Sequence, residues 1–70
     1  NCVAPGFTRK DPTGHSSMNE QAWKAAADAT PMGRIAEPDD IAATVEFLLG
    51  PGARHITGQT IAVDGGLGLV

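Results

Sequence analysis

The run Ile56-Thr57-Gly58-Gln59-Thr60-Ile61-Ala62-Val63-Asp64-Gly65-Gly66 decides how this 70-residue chain folds. From Gln59 to Val63 the alternation of polar and apolar residues is imperfect. The stretch Thr60 to Val63 has the apolar, β-branched character of a strand buried on both faces. Asp64-Gly65-Gly66 closes it, because a glycine pair leaves extended structure easily. At the other end of the chain Asn1 to Ala4 reads as the end of a second strand, with β-branched Val3 in an apolar run stopped by Pro5-Gly6. Two such strands joined by one long crossover imply parallel pairing. A parallel pair buried on both faces needs further strands and helices to be stable, supplied by sequence N-terminal to Asn1 or by another chain.

Between the strands the spacing predicts two helices. The better marked runs from Pro38 to Leu49. Pro38 sits where a missing N–H costs nothing, and Asp39 and Asp40 face the positive end of the helix dipole. Ile41, Ala42, Val45, Leu48 and Leu49 form an apolar stripe that Phe47 widens, and Gly50-Pro51 supplies the stop. The other helix is expected from about Met18 to Ala29, opened by a capping box of Ser17 and Glu20. Its stripe of Met18, Ala22, Ala25, Ala26 and Ala29, with Trp23 beside it, is mostly alanine and suits a mobile lid better than a core element. Thr30-Pro31 ends it, since the residue before proline resists helical geometry. Residues Phe7 to Ser16 mix polar residues, Gly and Pro without periodicity and are expected to run over a surface or across a ligand.

Composition agrees with an incomplete fold. Hydrophobic residues make up 41%, but eleven are alanines, and Gly and Pro together number fourteen. At this length a core rarely supplies more than about 3–5 kcal/mol without disulfides or metal. One Cys and two His forty positions apart provide neither. The chain also opens directly into apolar Cys2-Val3-Ala4. No apolar stretch approaches the roughly 18–20 residues of a membrane span, and no leader pattern is visible, so a soluble, cytoplasmic protein with no membrane partner is expected. The net charge of −3 leaves no basic face for nucleic acid. Cys2 reads either as a small buried hydrophobe or as a reactive thiol.

Four segments in order then carry a family pattern: Asn1-Cys2-Val3-Ala4-Pro5-Gly6, Pro31-Met32-Gly33-Arg34, Glu37-Pro38-Asp39-Asp40-Ile41-Ala42, and Ile56 through Gly66. Together they resemble the C-terminal quarter of the short-chain dehydrogenase/reductase family, most of all its 3-oxoacyl-carrier-protein reductase and sugar or polyol dehydrogenase types. The resemblance implies an α/β fold, with residues 1–70 as the C-terminal part of a doubly wound Rossmann-type parallel sheet, contributing its last two strands and crossover helices. It implies NAD or NADP as cofactor, a small carbonyl or alcohol substrate, and a homotetramer. By position Pro5, Gly6, Phe7 and Thr8 inherit the wall beside the nicotinamide, with backbone atoms of Phe7 and Thr8 meeting the carboxamide. Such sheets bind ligands beyond the carboxyl ends of their strands, where a Pro-Gly turn lets bare backbone approach a flat ring. Residues 7–30 correspond to the substrate lid, with His15, Met18 and Trp23 as candidate lining. Many members carry a Thr five residues after the Pro, where this chain has Lys10.

The family's Gly-rich phosphate loop and its Ser, Tyr and Lys catalytic group have no counterpart in these residues, which include no Tyr. A Tyr-x-x-x-Lys is therefore expected upstream of Asn1. No catalytic residue is assigned within the chain and no metal site is expected. Asp11, His15 and Ser16 contain the letters of a hydrolase triad but lie in one loop without a Gly-x-Ser-x-Gly elbow. Arg34 reads as a structural hydrogen-bonding residue at the base of the lid. The alternative to an oxidoreductase is a non-catalytic fragment that completes or caps another chain's sheet.

Overall fold

The computed structural model describes residues 1–9 and 19–69. In chain order these form strand β1 (Cys2–Pro5), helix α1 (Glu20–Ala29), helix α2 (Pro38–Leu49) and strand β2 (Thr60–Val63), with single 3-10 turns at Pro51–Ala53 and Leu67–Leu69. β1 and β2 pair in parallel, Cys2 opposite Thr60 and Pro5 opposite Val63. The crossover between them carries both helices, and α2 lies over the two-stranded sheet. None of the helices among the described residues is long and apolar enough to cross a membrane.

Each boundary has a local cause. α2 keeps the predicted bounds Pro38–Leu49 because proline occupies its first position and Asp40 reaches back, its Oδ2 accepting the Glu37 N–H at 2.8 Å. It stops at Gly50, which is extended because Pro51 follows. α1 starts two residues later than expected. Asn19, not Ser17, is its cap, with Oδ1 accepting the Ala22 N–H at 2.9 Å. Both types cap well, and Asn19 stands three residues before an N–H that it reaches. Ser17 and Met18 lie outside the described residues.

Strand ends shift by one residue. β1 runs on through Pro5, whose missing N–H removes no bond that the ladder needs. β2 begins at Thr60 rather than Gln59, because the Gln59 N–H turns to the Asn1 Oδ1 at 3.0 Å while the Asn1 Nδ2 donates to the Ile56 carbonyl at 3.1 Å. One asparagine thereby satisfies two groups of the chain leading into β2.

The buried set is small: Ala26, Ile35 and Ala53, with Thr30 as a buried polar residue. The expected double-sided burial of the strands is not seen. Every residue of β1 and β2 is at least partly exposed, and Cys2 is exposed rather than a buried hydrophobe. A single helix covers a two-stranded sheet on one side only, so its other face stays open. The α2 stripe is likewise only partly covered, with Leu49 84% and Phe47 52% exposed. On α1 the buried face centres on Ala26 with half-buried Ala22, Trp23 and Ala27, while Ala25 and Ala29 point outward.

Thr30 shows how α1 is finished. Its backbone turns extended before Pro31, and its hydroxyl donates to the Ala26 carbonyl at 2.8 Å, satisfying a last-turn acceptor. Thr30→Val keeps the shape but removes the donor. It is expected to cost about 1–2 kcal/mol of unfolding free energy in urea denaturation.

Candidate functional site

In-register parallel strands end at the same level, so the segment after Pro5 meets the segment after Val63. The Gly6 N–H donates to the Val63 carbonyl at 3.1 Å. A Cβ on Gly6 would lie 2.7 Å from the Asp64 Cβ and 2.8 Å from its Cα. Glycine is required here by this close approach. Its φ is not positive, and the space that a side chain would take is filled by Asp64.

Beyond Gly6 the chain pairs with the strip leading into α2. The Ala36 N–H donates to the Phe7 carbonyl at 2.9 Å and the Arg9 N–H to the Ala36 carbonyl at 2.8 Å, an isolated parallel bridge centred on Thr8 and Ala36. The Thr8 hydroxyl donates to the Gly6 carbonyl at 3.1 Å. The N–H groups of Phe7 and Thr8 have no partner among the described residues. Main-chain bonds thus hold the loop through Gly6, Phe7 and Arg9, and among the described residues two adjacent donors at the carboxyl end of a parallel sheet have no partner.

Two hollows flank this strip. One, of about 390 Å³, is lined by Phe7, Met32, Arg34, Ala36, Asp40 and the Ala62–Gly66 segment; of Pro5, Gly6, Phe7 and Thr8, it touches only Phe7. The other, of about 530 Å³, lies between α1 and the start of α2 and is lined by Arg9, Trp23, Lys24, Ile35 and Glu37 among others. Trp23 lines this groove, whereas Lys10, Asp11, His15, Ser16 and Met18 lie outside the described residues.

Ion pairs fasten the strip to α2. Arg9 Nε meets Glu37 Oε1 at 3.1 Å, and Arg34 Nη1 meets Asp40 Oδ2 at 3.0 Å. Both pairs are exposed and contribute little stability alone. The hydrogen bond to Arg34, followed by the one from the Glu37 N–H, holds the Asp40 carboxyl below its ordinary range. The same hydrogen bond and the Asp40 charge hold the Arg34 guanidinium still more firmly protonated. Arg34 also reaches the Ile35 carbonyl at 3.4 Å, in keeping with a structural hydrogen-bonding residue. Asp40 serves the helix start and this pair at once. Among the described residues no three His, Cys, Asp or Glu side chains converge on one point.

From the sequence the turn after β2 reads as a strand stop and, by resemblance, as part of the surface through which family members pair. It does more. Asp64 Oδ1 accepts the Gly66 N–H at 3.0 Å and Oδ2 accepts the Gly68 N–H at 2.9 Å. The Gly65 carbonyl accepts the Met32 N–H at 3.1 Å. Gly65 has φ +62°, and a Cβ there would meet the Thr30 Cγ2 at 2.7 Å. An aspartate two residues before a Gly and four before another is the signal that would have marked this turn.

A family model described as Enoyl-(Acyl carrier protein) reductase matches residues 1–68. A 3-oxoacyl-acyl-carrier-protein reductase of Rickettsia felis is 43% identical over 70 residues, covering 100% of this chain and 28% of the relative. A tropinone reductase homolog of Arabidopsis thaliana is 46% identical over 68 residues, covering 96% of this chain and 22% of the relative. The crystal structure of a short chain dehydrogenase family protein from Francisella tularensis superposes with a TM-score of 0.80 at 30% identity, over 97% of this chain and 32% of that one. The parallel strands and crossover helices are thus part of a Rossmann-type α/β arrangement. The chain belongs to the short-chain dehydrogenase/reductase family. It spans about a quarter of the length of the curated relatives it matches.

The Asp40 geometry fixes a pH dependence. Asp40 titrates lower folded than unfolded, so its contribution is complete above its unfolded value of about 4 and is lost as the pH falls through the folded value. Arg34 stays charged throughout. Thermal melts of Asp40→Asn, which keeps an acceptor but no charge, should fall below wild type at neutral pH, with the gap closing in acid.

Proposed function

We propose that this chain forms the nicotinamide-side wall, the substrate lid and an oligomer surface of an NAD(P)-dependent short-chain oxidoreductase acting on a carbonyl or alcohol. The supporting observation is the pair of N–H groups on Phe7 and Thr8 that have no partner among the described residues, held at the carboxyl end of a parallel sheet by the bridge to Ala36 and the seating of Gly6 on Asp64. That donor set suits the carboxamide oxygen of a nicotinamide, in the crevice where such sheets bind their ligands. The fit concerns the nicotinamide end alone. The Gly65-Gly66 turn leads into a 3-10 turn of three residues, not into a helix that could present N–H groups to a pyrophosphate.

When bound, the cofactor supplies or accepts a hydride. The residues of this chain bind and orient. Pro5 ends the strand, Gly6 sets the height of the loop, and Phe7 and Thr8 present main-chain donors whose side chains matter less than their placement. Residues 7–30 act as the lid over the substrate, α1 bringing Trp23 to the groove beside Arg9 and Ile35, and lid closure would exclude water from the reacting carbon. Proton transfer to the carbonyl oxygen is not assigned to these residues, which include no Tyr.

The relatives' names point to three kinds of substrate, a 3-oxoacyl-acyl carrier protein, tropinone and galactitol. The exposed Phe47 and Leu49 support an oligomer, for which we propose the homotetramer, in the cytoplasm.

The test uses the natural polypeptide that carries these residues. Titration with NADH and with NADPH, followed by nicotinamide fluorescence, should show binding of at least one, with turnover on a ketone panel. Gly6→Ala forces a methyl group into Asp64 and is expected to weaken cofactor binding about tenfold, while Phe7→Leu stays within about threefold. Failure of the wild type to bind either cofactor would leave the alternative, a sheet-completing fragment without catalysis.

A further inference from the structure

The residues so far assigned to cofactor and lid belong to different parts of the chain, yet both rest on the turn after β2. Gly6, at the root of the cofactor loop, is packed against the Cα and Cβ of Asp64. Thr30 and Met32, where the lid helix rejoins the body, are seated on Gly65, through the contact of the Thr30 methyl group and the 3.1 Å bond from the Met32 N–H. Pro31 packs in the same way on Gly66, where a Cβ would lie 3.2 Å from its ring. The turn itself is held by one side chain, the Asp64 carboxylate, with an oxygen on each of two N–H groups, and by the Leu67 N–H on the Asp64 carbonyl at 3.1 Å.

We propose that Asp64 is a positioning residue for both halves of the site: by fixing its own turn it sets the height of the cofactor loop at Gly6 and the root of the lid at Thr30–Met32. The inference rests on the oxidoreductase reading and adds a residue that acts through the main chain of its neighbours. Its physical basis is the absence of slack. A glycine Cα against the Asp64 Cβ, and a methyl group against a glycine in the left-handed region, leave no room for the turn to shift without moving both neighbours. Loss of the carboxylate frees the Gly66 and Gly68 N–H groups and lets the turn relax. Misplacement of groups that orient reactants is costly even at sub-ångström scale.

The variants are Asp64→Ala, which removes both acceptors, and Asp64→Asn, which keeps one for the Gly66 N–H. In the natural polypeptide carrying these residues, Asp64→Ala should raise the cofactor dissociation constant and the carbonyl KM together, each about five- to tenfold, with kcat within about threefold. Asp64→Asn should recover part of both. A lowered melting temperature with either constant unchanged in the folded enzyme means that Asp64 is merely structural, and the proposal falls. Should Asp64→Ala not fold, Asp64→Asn carries the same comparison. Amide exchange gives a readout independent of activity: in Asp64→Asn the Gly6 and Met32 amides should lose protection together. Exchange unchanged at either site overturns the proposal even if the wild type binds no nicotinamide, the outcome that instead removes the oxidoreductase reading.

Discussion

Parallel, in-register pairing of two four-residue strands is the constraint from which the rest of this structure follows. Cys2 stands opposite Thr60 and Pro5 opposite Val63, so both strands finish at one level and in one direction. An antiparallel pairing would have sent the segments after Pro5 and Val63 to opposite ends of the sheet. Parallel strands instead deliver two turns side by side, and the chemistry of each is set by its neighbour. Gly6 can be nothing larger because Asp64 is there. The long connection that parallel pairing demands is the room in which both helices are built.

The second determinant is how little is buried. Among the described residues three small or medium apolar residues and one threonine are buried, and none of the strand residues is fully enclosed. Order at the site is accordingly carried by hydrogen bonds and glycine contacts more than by apolar packing. The segment after β1 is held by main-chain bonds to Ala36 and Val63 and by the Arg9–Glu37 pair. The far end of α1 is held by the Thr30 hydroxyl and the Gly65 carbonyl.

Much of the architecture was legible in the sequence where a residue has only one local meaning. Pro38 and Gly50-Pro51 fixed both ends of α2, and Thr30-Pro31 the end of α1. The start of α1 was misplaced because Ser17 and Asn19 are both competent caps and only geometry chooses between them. Burial of the strands was expected only with further strands, since an apolar run states what a strand is fit to bury and not what lies against it. Within the site, Pro5 to Thr8 were picked out by resemblance. That the Phe7 and Thr8 donors stay open depends on Ala36, twenty-eight positions beyond Thr8, and no local pattern encodes it. Asp64 was read as punctuation because its partners are main-chain groups, which the sequence does not distinguish.

Asn1 shows how a side chain can lengthen a backbone ladder. It lies just before β1, and its amide reaches the Ile56 carbonyl and the Gln59 N–H. These bonds span 55 and 58 positions, yet they enclose no loop beyond the one that the strands already close. Once the strands have met, the side chain is bound at almost no added entropic penalty. It acts as a clasp beside the sheet, extending by a side chain the zipper that the backbone began.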